Sequence, residues 1–236
     1  MDNMVQQEIS SFLGRIFRKN FGKGPELIYV SIRYSFISIY LKNFLSHMET
    51  VLLELDQEVT VRELRESIMQ KLIPEIQSYI QSLTGTEVTE FYFDWDLQRK
   101  SGIILGISPK PFDQCDSKPS ENDNQSQLDQ QLLRMIQHTY KEPDPIDTYQ
   151  MNDRTILVIR HGKWLAIERE LIRLGNEKIV GMAKKNMDRA MIQTSGLESV
   201  LGSKIDDFYV IWNAALNQSI FIIILEGPGK QSYVKS

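Results

Sequence analysis

Gly85-Thr86-Glu87-Val88-Thr89-Glu90-Phe91-Tyr92-Phe93-Asp94-Trp95 recurs further along the chain as Gly202-Ser203-Lys204-Ile205-Asp206-Asp207-Phe208-Tyr209-Val210-Ile211-Trp212. The glycine, the Phe-Tyr pair and the tryptophan are identical, and most other changes are like for like. The recurrence marks a tandem duplication, and it supplies an internal comparison. Positions kept in both copies serve the shared fold. Positions kept in one copy only are free of that requirement.

Working outward, each glycine closes a helix and opens a strand. Glycine accepts the left-handed conformation in which helices commonly stop. The strands expected after it are Val88–Trp95 and Gly102–Ile107, echoed by Ile205–Trp212 and Ser219–Leu225. Upstream of Gly85, Leu64, Ile68, Leu72, Ile76, Tyr79 and Leu83 recur at near-helical spacing, and Pro74 among them predicts a kink. Ser46-His47-Met48-Glu49 and Thr60-Val61-Arg62-Glu63 both carry the capping-box pattern. They predict two helices with a break between them, and Leu174-Gly175-Asn176 places the same break in the second copy. Before these lie two short strands near Leu27–Ile32 and Tyr34–Leu41. Ile37, Ile39 and Leu41 alternate there, matched by Ile156, Val158 and Arg160 after an Asn152-Asp153 turn.

The first copy opens with Ile9, Phe12, Leu13, Ile16 and Phe17 at helical spacing, ended by Gly22 and Gly24-Pro25. Its counterpart is Leu132, Leu133, Met135 and Ile136, stopped by Pro143 and Pro145. Each copy therefore reads α-β-β-α-α-β-β. The predicted class is α+β, each copy a four-stranded, mostly antiparallel sheet with helices on one face. The expected division is a first repeat over 1–108, a flexible linker over 109–127 and a second, diverged repeat over 128–236. The linker carries Pro109, Pro111 and Pro119 and then a polar run with too few apolar residues to repay ordering. Two copies in one chain suggest an internal pseudo-two-fold, as monomer or homodimer.

The 236 residues carry a net charge of −4. Residues 1–118 hold 13 basic and 16 acidic side chains, and residues 119–236 hold 14 and 15, so neither half has the basic excess of a nucleic-acid binder. No apolar run approaches the roughly 18–20 residues that span a bilayer, and Met1-Asp2-Asn3-Met4 lacks the flank of a signal peptide. Cys115 is the only cysteine, which excludes an internal disulfide and favours a cytoplasmic address.

Several residues in the first copy carry a resemblance: Phe21-Gly22-Lys23-Gly24-Pro25, Leu45-Ser46-His47-Met48-Glu49, Arg62 and Leu83-Thr84-Gly85. This pattern resembles the MpsC-like family, described as part of a Na⁺-translocating, membrane-potential-generating system. The second copy departs from it, with Tyr140-Lys141-Glu142-Pro143 in place of the Gly-Lys-Gly-Pro element. In Trp164-Leu165-Ala166-Ile167-Glu168 only the glutamate and the apolar character remain. The resemblance implies an accessory or regulatory module, peripheral to the inner face of a membrane, that engages a membrane ion-translocating complex.

The candidate binding residues are Arg15, Arg18, Lys19, Gly22, Lys23 and Gly24. They gather cations and backbone amides suited to a phosphate, an acidic headgroup, a nucleotide or an acidic partner. The plainer reading is a helix C-terminus, where cations complement the dipole and glycine is the usual stop. Asp94 and Asp96 share one face of a strand, but the second copy has Ile211 and Asn213, so a solvated strand end is the simpler reading. His47, His138 and His161 lie in unrelated positions, and neither a His-x-x-x-His nor a Cys-x-x-Cys spacing exists for zinc. Cys115 has no neighbouring histidine in sequence, and no Gly-x-Ser-x-Gly elbow is present. Glu49 and Glu168 are shared and fit the capping role, while Arg62 lacks a basic counterpart. The expected function is non-catalytic and cofactor-free, with anion or nucleotide sensing by the first helix end as the alternative.

Overall fold

The computed structural model describes residues 3–113, 129–134, 145–162, 164–193, 196–213 and 216–227. Cys115, His138, Met135, Ile136, Pro143 and most of the expected linker lie outside them. Contacts divide the chain into two compact units, Met1–Lys118 and Pro119–Ser236.

The first unit begins with α1 (Asn3–Phe21), which buries Ile9, Leu13, Ile16, Phe17 and Phe21. The hairpin β1 (Leu27–Arg33) and β2 (Phe36–Lys42) follows, then α2 (His47–Glu54), α3 (Glu58–Thr84), β3 (Glu90–Asp96) and β4 (Ser101–Ile107). The sheet order is β1-β2-β4-β3, and every neighbouring pair is antiparallel. Helices α1 and α3 pack on the sheet through Ile37, Ile39, Leu41 and Ile104. Phe12 of α1 stacks on Tyr79 of α3, ring centroids 3.8 Å apart.

The second unit has helical residues 129–134 (α4), then β5 (Ile146–Gln150), β6 (Thr155–His161), α5 (Ala166–Arg173), α6 (Glu177–Gln193), α7 (Leu197–Leu201), β7 (Ile205–Asn213) and β8 (Gln218–Leu225). Its sheet order, β5-β6-β8-β7, is again antiparallel throughout and repeats the topology of the first. The mixed α+β class and the paired four-stranded sheets are those expected from the duplicated sequence.

Some details differ. Thr60 does not cap α3. The helix starts at Glu58 with Gln57 as its N-cap and no side-chain cap bond. The link from α2 is too short for a separate box: Asp56 N–H and Gln57 N–H already bond back to the α2 carbonyls of Leu53 and Leu52. The buried stripe of α3 is Val61, Arg65, Met69, Leu72, Ile76 and Ile80, whereas Leu64 is 46% exposed. Leu72 and Ile76 are buried as the apolar spacing predicts, and Ile68, Tyr79 and Leu83 pack against the core half-buried, but the spacing missed the first turns, where the charged Arg65 takes the inward place. Pro74 lies inside α3, as the sequence predicts. In the second unit the place of α3 is taken by two helices, α6 and α7, and Gly196 at φ 64° precedes α7. The helix ends at Gly85 (φ 71°) and Gly202 (φ 61°) are left-handed, as the repeat requires.

Candidate functional site

The cations of the first-helix end lie at the surface. Arg15, Arg18 and Lys19 are exposed on α1. Gly22 adopts φ 78° just past the helix, and Lys23 pairs with Glu26 at 3.6 Å. Gly24 is buried where the chain folds back on α1, and a Cβ there would sit 3.0 Å from the Gly14 carbonyl oxygen. The two glycines thus have backbone roles of their own, a left-handed stop and a close approach. Arg15 also borders a shallow groove with Met4, Gln7, Glu8, Ser11 and Tyr79.

The most concentrated chemistry lies deeper, around a residue that the apolar spacing passed over. Arg65 of α3 is fully buried, its Nε 3.0 Å from Glu49 Oε1. Three rings enclose the guanidinium, with Cζ 3.9 Å from the Phe44 centroid and 4.5 Å from those of Phe21 and Trp95. The Nε contact is an ion pair and not an aligned hydrogen bond, and neither Nη1 nor Nη2 has a hydrogen-bond partner, so ring faces replace water around the charge. Burial pushes the guanidinium down to about 10, against the opposing attraction of Glu49. That is still well above neutral, so the group remains a cation.

Glu49 divides its oxygens. Oε1 faces Arg65, while Oε2 accepts the backbone N–H and the hydroxyl of Ser46 at 2.8 Å each. Ser46 Oγ in turn accepts Glu49 N–H at 3.3 Å, completing the capping box. One carboxylate therefore starts α2 and neutralises the buried arginine of α3.

The second unit repeats this device with a different cation. Lys184 Nζ lies 2.9 Å from Glu168 Oε1 and donates to Asn217 Oδ1 at 3.2 Å. Trp164 and Trp212 flank it at 5.6 and 5.9 Å. Glu168 Oε2 accepts Leu165 N–H, half of a capping box, since leucine has no acceptor for the other half. A second buried pair has no precedent in the first unit. Arg160 Nη2 lies 3.3 Å from Asp188 Oδ2 and donates to Ser219 Oγ at 2.7 Å. At the matching places the first unit has Leu41, Met69 and Gly102.

Asp94 and Asp96 do not converge on a site. Asp94 Oδ1 accepts Trp95 N–H, and Asp96 Oδ1 accepts Arg99 N–H in the β3–β4 turn. His47 opens α2. His161 accepts the Gln218 amide on Nδ1 and donates from Nε2 to Asp147 at 2.9 Å. Arg62 bonds Glu58 and the Trp95 carbonyl oxygen. No group of three metal-ligating side chains occurs among the described residues. Tyr92 donates to Glu90, and burial with that carboxylate raises its phenol above the ordinary range.

One sequence signal could have found the buried cations: Arg65 and Lys184 each stand sixteen residues after the shared glutamate. Neither curated proteins nor solved structures give a match to the chain. A family match does exist, and it stops before the second unit. Residues 2–108, which carry the capped α2 and the caged Arg65, match the family described as Na⁺-translocating membrane potential-generating system (MpsC).

Proposed function

We propose that the protein is a non-catalytic accessory component of a Na⁺-translocating membrane potential-generating system, acting from the cytoplasmic face. The family match of residues 2–108 carries this reading. Two further observations support it. No helix among the described residues is long and apolar enough to cross a membrane. Within each unit the buried cations are paired with carboxylates of the same unit, which suits a docking module. The second unit is a diverged copy of the first, an assignment supported by its identical strand order and its glutamate–cation–tryptophan set. The test compares cells that contain the cognate translocating complex with cells lacking it. The full chain should sediment with membranes only where the complex is present, and its deletion should lower Na⁺-dependent membrane potential. Equal distribution in both strains sinks the proposal.

A second reading, anion sensing, draws on the exposed Arg15, Arg18 and Lys19, none of which makes an ion pair among the described residues. Phosphate or nucleotide should then raise the melting temperature of the full chain, and Arg15→Ala with Arg18→Ala should abolish the shift. No shift with any phosphate compound removes this reading.

A further inference from the structure

The short helices α2 and α5 turn apolar side chains outward. The only residue of α2 that is buried is Glu49, and α5 has none. Met48 is 73% exposed and Leu55 is 64% exposed. At the same places of the second unit, Ile167 and Leu174 are 63% and 59% exposed. Scattered exposed apolar residues are ordinary. Here apolar residues recur at equivalent places in both copies and are exposed in both, so the interior of neither unit explains them. Neighbouring residues extend each stripe: Val51, Val59 and Leu64 in the first unit, Ile179 and Met182 in the second.

The surroundings of the two stripes are opposite in charge. Residues 47–66 hold six carboxylates and two cations, a formal charge of −4. The matching residues 166–185 hold three carboxylates and five cations, a formal charge of +2. Glu54 and Asp56 bracket Leu55, and Val59, Glu63 and Glu66 line one face of α3. On the other unit, Arg169 and Lys178 are exposed beside Ile167 and Leu174. An acidic rim around one apolar stripe fits a basic rim around another.

We propose that the α2–α3 face of one chain docks on the α5–α6 face of a second copy, apolar stripe to apolar stripe, with the rims setting the pairing. Each copy offers both halves of this heterologous contact. The inference stands on these surfaces and holds whatever system the protein serves.

Sedimentation velocity on the full chain, over a concentration series at low and high salt, tests it. The wild type should self-associate, and salt should weaken the association. Leu55→Glu with Leu174→Glu should give monomers with unchanged far-ultraviolet circular dichroism and melting temperature, because both positions are exposed. Glu54→Lys with Glu63→Lys should weaken association roughly tenfold or more, by setting like charges against each other. Adding Arg169→Glu and Lys178→Glu to that same chain should restore it. A wild type that stays monomeric at all concentrations overturns the proposal. So does association indifferent to the two leucine substitutions, or a charge reversal that its complement does not rescue.

Discussion

The two units share a topology and differ in how they accommodate an indole and a buried charge. In the first, Trp95 lies over β4, and a Cβ on Gly102 would come 2.3 Å from its ring. In the second, the strand position is Ser219, and Gly181 of α6 makes room instead, with a Cβ there 2.7 Å from Trp212. Both units place a tryptophan near the end of this strand and differ in which neighbour gives up its side chain. The interior shows the same latitude. Leu41 and Met69, both fully buried, occupy the places that Arg160 and Asp188 fill in the second unit. One sheet-and-helix frame thus accepts either an apolar contact or an ion pair there. The glutamate–cation contact between the first and second helices after the hairpin is present in both.

Removing that shared contact should cost the most. Glu49→Ala leaves Arg65 charged, buried and unopposed, a loss of about 3–5 kcal/mol for a broken buried pair. The same change removes part of the capping box, worth about 1 kcal/mol more. Trp95 is the only tryptophan in residues 1–118, so urea unfolding followed by its fluorescence in a Trp164→Phe/Trp212→Phe background isolates the first unit. A midpoint within error of the parent's would show that Glu49 does not hold the arginine. Arg65→Met in the same background should cost less than Glu49→Ala, because the carboxylate it leaves still accepts both Ser46 donors, whereas Glu49→Ala leaves a guanidinium with no hydrogen-bond partner.

The second pair tests whether charge is needed where the first unit has none. Asp188→Met removes the carboxylate beside the buried Arg160 and should destabilise the second unit by about 3–5 kcal/mol. Arg160→Leu with Asp188→Met transplants the apolar pair of the first unit. It should recover most of that loss, or exceed the wild type by about 1–4 kcal/mol. If the double variant is no better than Asp188→Met alone, the two interiors are not interchangeable. Gly102→Ala should follow in size, at about 1–3 kcal/mol, because the added methyl meets the Trp95 ring in a packed core. Ser219→Ala avoids this clash, since the second unit already carries a side chain there, and its cost reports instead the acceptor lost to Arg160. A denaturation midpoint for each variant separates these outcomes.

The sequence made the frame legible because its signals are periodic and punctuated. The repeat ending in Trp95 and Trp212 fixed the strands, Gly85 and Gly202 marked the helix ends, and Ser46 with Glu49 announced α2. The inward face of the first turns of α3 was hidden for a physical reason. An apolar-periodicity reading discards Arg65, and burying it depends on Glu49, Phe21, Phe44 and Trp95, which come from four other parts of the unit. Lys184 was hidden in the same way by Glu168, Trp164 and Trp212. The outward stripes on α2 and α5 were also illegible, because sequence does not show which apolar face of a short helix is covered. The six residues chosen at the first-helix end rested on local spacing. The backbone roles of Gly22 and Gly24 emerged only when the loop could be seen against α1.

The smallest contrast lies at the start of α2 and α5, and it runs in both directions. Ser46 supplies a side-chain acceptor to Glu49 N–H, whereas Leu165 donates its N–H to Glu168 Oε2 and offers no side-chain acceptor in return. Ser46→Ala should therefore destabilise the first unit by about 1 kcal/mol. Leu165→Ser should stabilise the second by about 0.5–1 kcal/mol, because it restores the missing acceptor at a position that is 58% exposed and loses little packing. The two changes together carry the cap from one unit to the other. Urea midpoints read separately from Trp95 and from Trp212 should move in opposite directions. If Leu165→Ser leaves its unit unchanged or weaker, the leucine contributes more by covering the helix start than a hydroxyl does by bonding it. The shared glutamate would then be the only part of the box that both units need.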